Sequence, residues 1–113
     1  MRMASSFSIL PDTDGAAREG ITRLTSDLGA APDLIVLYAT EHHASPSLIE
    51  IIRNAFPGVP VIGGTSCGGV MTERGFHSGS NGAIGFLGIS DQEGSYGVGA
   101  EPLGDDARAA GAA

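Results

Sequence analysis

The stretch Asp33–Gly63 constrains this chain most, because it reads as strand, helix and strand in direct succession. Asp33-Leu34-Ile35-Val36-Leu37-Tyr38-Ala39-Thr40 is a run of strand-forming residues without the alternation of a strand that has one wet face. Such a run predicts a strand covered by helices on both faces. The loop Glu41-His42-His43-Ala44 follows. Ser45-Pro46 then opens a helix, with serine at the N-cap and proline at the first helical position. Leu48, Ile49, Ile52 and Phe56 recur at helical spacing as its buried stripe, and Pro57-Gly58 ends it. Val59-Pro60-Val61-Ile62-Gly63 reads as a short buried strand. A right-handed crossover would set strands 34–40 and 59–63 parallel in one sheet.

The flanks extend this unit. Residues 4–10 alternate weakly, as a short strand. Pro11-Asp12-Thr13-Asp14-Gly15 is a turn with N-cap candidates, and Ala17, Ile21, Leu24 and Leu28 mark one face of a helix over 16–28. Gly29 is its expected C-cap, and Pro32 prevents continuation. Fourteen of the eighteen glycines fall between Gly58 and Gly104, so the second half should hold tight turns and close backbone approaches. Residues 64–82 read as a glycine-rich polar loop. Ala83–Ile89 reads as a strand, and residues 94–100 should pair with it as a hairpin through Asp91-Gln92-Glu93-Gly94. Residues 105–113 read as the start of a truncated helix. The expected fold is a single α/β domain over 1–113. It is a βαβαβ unit with a parallel sheet core, followed by a glycine-rich antiparallel hairpin and incomplete at the C-terminus.

Charge and cysteine content narrow the function. A net charge of −7 and a pI near 4.6 argue against a phosphate-backbone grip on nucleic acid and against adsorption to anionic membrane. The N-terminus lacks the apolar core of a signal peptide, and the longest apolar run, Leu34–Ala39, is far too short to span a bilayer. The single cysteine, Cys67, has no intramolecular disulfide partner, which suits a reducing, cytoplasmic setting.

In open α/β sheets ligands bind beyond the carboxyl ends of parallel strands. Two such ends should converge here. One carries Thr40, Glu41 and His42; the other carries Gly63, Gly64, Thr65, Ser66, Cys67 and Gly68. Bare glycine N–H groups beside Thr65 and Ser66 hydroxyls suit a carboxylate or another small polar ligand. A tight turn packed on a neighbour would use the same glycines. Cys67 with His42 or His43 would make a nucleophile–base pair for a hydrolase or transferase, against the plainer reading of a small buried thiol. His42, His43 and His77 are weak metal candidates, since adjacent histidines rarely chelate one ion and no further ligand stands at helical spacing. For His42 and His43 a surface or capping role is the expectation, and His77 should be solvated.

The same segments resemble the N-terminal module of the FIST family, the "F-box and intracellular signal transduction" domains. The likeness rests on Asp33–Thr40, the helix to Phe56, Pro60-Val61-Ile62-Gly63-Gly64-Thr65-Ser66-Cys67-Gly68-Gly69 and the strand Ala83–Ser90. The resemblance implies a non-enzymatic, ligand-binding sensory domain of the bacterial signalling type. Its ligands would be amino acids or other small polar molecules, and its signalling partner a histidine kinase or chemotaxis-type protein. It also brings haem into view as a cofactor of gas-sensing relatives, with His42, His43 or His77 as axial candidates. The family module is longer than this chain, so only its first part is expected here. A further expectation is that apolar residues on strands 83–90 and 95–100 dock onto the remaining module or onto a second copy, as in an assembly module.

Overall fold

The computed structural model describes residues 1–112. The chain runs through β1 (Arg2–Ser8), α1 (Thr13–Leu28), β2 (Leu34–Thr40), a 3₁₀ turn (Glu41–His43) and α2 (Pro46–Ala55). It continues through β3 (Val61–Ser66), β4 (Val70–Thr72), β5 (Gly75–His77), β6 (Ile84–Ser90) and α3 (Ala107–Ala112). Of the expected truncated helix, Ala113 lies outside the described residues.

The first half forms as its local signals dictate. Asp12 caps α1, its side chain accepting from the Gly15 N–H at 2.8 Å. Gly29 closes the helix in the left-handed conformation at φ 68°, its N–H bonded to the Thr25 carbonyl at 3.1 Å. Asp12→Ala should therefore cost about 1 kcal/mol. That corresponds to a melting temperature lower by about 4–8 °C, readable by calorimetry. Ser45 stands at the N-cap of α2 with Pro46 first in the helix, but the Ser45 hydroxyl bonds to that of Ser47 rather than capping the backbone.

The four-stranded sheet has the order β1-β6-β2-β3. β2 and β3 are parallel, with Ile35 opposite Val61 and Thr40 opposite Ser66. β6 runs antiparallel to both β1 and β2. The mixed α/β class and the parallel β2–α2–β3 unit are thus as expected, and β6 is inserted between the first two strands of the βαβαβ succession. Sequence order alone did not reveal that insertion. β6 is uncharged and buried along most of its length, so the centre of the sheet is its least costly place.

Three expectations change. Residues 95–100 form no strand with 83–90, because both edges of β6 are already taken by β1 and β2. The hairpin lies earlier, within 64–82, where β4 and β5 pair antiparallel with Val70 opposite His77. Second, β2 does not carry helices on both faces. Ile35, Leu37 and Ala39 meet Ala16, Ala17, Leu24, Leu48 and Ile52 in the core, while Tyr38 on the other face is 47% exposed. That second face carries the hairpin, with Val70 against Gly85, His77 on Phe7 and the Glu73 carboxylate bonded to Ser5. Third, β3 is an edge strand, and Ile62, Gly63, Gly64 and Thr65 are exposed rather than buried.

Close approach requires glycine at Gly20 and at Gly63. α1 lies so near β6 that a Cβ on Gly20 would enter the Phe86 ring. On β3, a Cβ on Gly63 would collide with the Leu37 carbonyl.

Candidate functional site

The register of β2 against β3 brings the two carboxyl strand ends side by side, Thr40 beside Ser66. A cavity of about 600 Å³ opens along this pair, on the helical face, between β3 and α2. Its floor is Leu37, Ala39 and Val61. Leu48 and Ile49 line it from the helix, and Gly63, Gly64 and Thr65 from the edge strand. The polar side chains reaching it are Ser45, Thr65 and Arg53. Arg53 is exposed and makes no ion pair among the described residues.

Gly63, Gly64 and Thr65 are therefore cavity residues. The remaining strand-end candidates lie outside the lining, and several are occupied by the fold. Thr40 is buried, and its hydroxyl oxygen accepts the Ala83 N–H at 3.0 Å. The Ser66 hydroxyl donates to the Gly69 carbonyl at 2.6 Å. Glu41 is exposed in the 3₁₀ turn, and His42 bonds through Nε2 to the Pro11 carbonyl at 3.0 Å. Cys67 and Gly68 sit exposed in the turn after β3, so Cys67 is a surface thiol and not a core one.

The histidines depart most from expectation. His43 is fully buried. Its Nδ1 lies 2.8 Å from the Thr13 hydroxyl at the start of α1, and its Nε2 has no partner. Burial holds its pKa below the ordinary value, reinforced by the neighbouring His42. His77 is half-buried, stacked on Phe7 with ring centroids 3.4 Å apart, and shares a hydrogen bond of 2.7 Å with the Thr72 hydroxyl. None of the hydrogen bonds of His42 or His43 is to Cys67, so the nucleophile–base arrangement gains no geometric support. Among the described residues no three His, Cys, Asp or Glu side chains gather as a metal site. The histidines also fit haem poorly. None lines the cavity, and the Nε2 of His43 is buried inside the fold, where among the described residues no cavity gives a flat macrocycle access to it. No described helix is long and apolar enough to cross a membrane.

Sequence reading missed Arg53, Ser45 and Ile49 as cavity residues. A signal existed: Ile49 and Arg53 are four apart and share one side of α2. Ile49 was assigned to the core stripe, whereas Ile51 takes that role against the core and Ile49 is exposed at the cavity.

Comparison with known proteins gives one family. The model of the FIST N domain matches residues 33–113, which include β2, α2, β3 and β6. No curated protein matches the chain.

Proposed function

We propose, because this chain belongs to the FIST N domain family, that it is a sensory domain of signal transduction whose ligand enters the cavity between α2 and β3. The observation that supports the reading is a cavity lying along the parallel β2–β3 pair and reaching Ser45 and Thr65 near its carboxyl end, the end at which α/β sheets bind small molecules. The lining sets the ligand's chemistry. Leu37, Leu48, Ile49 and Val61 suit a short apolar body. Arg53, in the last turn of α2, suits a carboxylate at one end, and the Ser45 and Thr65 hydroxyls suit a polar group toward the other. A small organic acid of the amino-acid type meets both demands. The setting that suits an exposed single thiol is a reducing cytoplasm. The signal would then pass to a histidine kinase or chemotaxis-type protein.

The test is a thermal-shift screen of amino acids and other small acids, with any hit titrated by calorimetry. A ligand at about a hundred times its Kd should add roughly 2.7 kcal/mol to the folded state. Arg53→Gln should weaken a carboxylate ligand by about tenfold to a hundredfold, and the ligand's primary amide should bind the wild type equally poorly. A ligand held with equal affinity by wild type and Arg53→Gln would remove Arg53 from the site. Failure of every acid to shift the melting temperature would remove the reading.

A further inference from the structure

Two features of this chain are unpaired in the same way. The first is the outer edge of β3, which ends the sheet. The Ile35 N–H bonds to the Pro60 carbonyl at 3.0 Å. In a parallel ladder alternate residues face the neighbouring strand, so Pro60, Ile62, Gly64 and Ser66 turn their backbone groups toward β2. Val61, Gly63 and Thr65 then turn theirs outward. Native edges are usually blunted by charge, proline or a bulge. Val61–Ser66 carries no charge and no proline, in a chain of net charge −7.

The second feature is Ser95–Ala100. Its alternation of Tyr96, Val98 and Ala100 with Gly97 and Gly99 is that of a strand, and it too is uncharged. Yet among the described residues it has no strand partner. Its expected partner, β6, is saturated by β1 and β2, and the segment forms no backbone ladder. It is anchored at its start, where the Tyr96 hydroxyl donates to Asp91 at 2.9 Å and the Asp91 N–H donates to Asp33 at the foot of β2. The segment's six residues equal the length of β3.

From this pairing of a free strand with a free edge, we infer that the chain associates with a second copy of itself by strand addition, Ser95–Ala100 of one copy lying along Val61–Ser66 of the other. Both elements lack charge, so their contact brings together none of the carboxylates that make the chain acidic. The added strand would run beside Gly63, Gly64 and Thr65, which also wall the cavity. The inference does not depend on what the cavity binds.

Light scattering and sedimentation over a hundredfold dilution test it. The wild type should pass from two copies to one on dilution. Thr65→Pro should hold it at one copy at every concentration, because that N–H points away from β2 and its loss spares the β2–β3 ladder. The double change Gly97→Pro with Val98→Pro should do the same, since one of the two removes a required donor in either register. Hydrogen exchange on the unaltered protein supplies a readout free of folding effects. The Val61, Gly63 and Thr65 amides should gain at least tenfold protection between the dilute and concentrated samples. A wild type that stays at one copy throughout overturns the inference. So does a dimer that survives the double proline change, which would place β3 against β3. Concentration-independent protection of these amides, pointing to pairing within one chain, overturns it as well.

Discussion

Replacing Gly63 with alanine is expected to unseat β3, at a cost of about 3 kcal/mol or more. The new Cβ would fall on the carbonyl oxygen of Leu37, with the Leu37 carbonyl carbon and nitrogen close behind. These are backbone atoms of the strand next to β6, so they have nowhere to move without opening the sheet. A domain of this kind holds only about 5–15 kcal/mol in total. The loss would therefore be a large fraction of its stability. Gly68→Ala, five residues on, is the control. Nothing lies within 4 Å of a Cβ there, and the backbone is not left-handed. That change should stay within about 0.5 kcal/mol of the wild type. Urea unfolding of the three proteins decides the matter; equal midpoints for Gly63→Ala and Gly68→Ala would show that β3 does not sit against β2 as described.

The second large effect is acid sensitivity seated at His43. Its ring is fully buried, one nitrogen shares a bond with Thr13, and the other has no partner. The ring adjoins the start of α1, where unpaired N–H groups carry positive charge, and His42 stands beside it with ring centroids 4.8 Å apart. The Leu10 backbone and, more weakly, Asp12 pull the other way, but burial and His42 dominate and keep the folded-state pKa low. In the unfolded chain the ring takes up a proton near pH 6.5, whereas in the folded chain it resists until lower pH. Its contribution is therefore fully present above about pH 6.5 and is lost as the pH falls from there toward the folded-state value. The slope is at most about 1.4 kcal/mol per pH unit, one proton's worth. His43→Leu removes the titration. The difference in urea midpoint between about pH 7.5 and about pH 5.5 should shrink in that variant. An unchanged difference would assign the acid sensitivity elsewhere.

His43 also marks where reading the sequence stopped. Nothing in Glu41-His42-His43-Ala44 distinguishes a buried imidazole from a solvated one. The distinction arises because the 3₁₀ turn folds His43 against α1, thirty residues earlier in the chain. Cys67 is the converse. A lone cysteine is more often buried, and this one is exposed because β3 ends at the sheet edge.

Local chemistry was enough to place α1, β2 and α2, since each is written in a few adjacent residues: Asp12 and Gly29 at the ends of α1, Ser45-Pro46 before α2, Pro57-Gly58 after it. It also marked two more strands, with the expected 4–10 found at Arg2–Ser8 and the expected 59–63 found at Val61–Ser66. The parallel β2–α2–β3 unit followed from the handedness of crossovers, and with it the pair of strands along which the cavity lies. What only the tertiary structure decided was which strands are neighbours. An uncharged strand such as Ala83–Ser90 is equally consistent with a hairpin to 95–100 or with the centre of a sheet, because strand pairing joins residues far apart in sequence through identical backbone groups. Burial chose the centre. With β6 between β1 and β2, the open edge passed to β3, the segment 95–100 was left without a partner, and Arg53 came to face the cavity beside that edge.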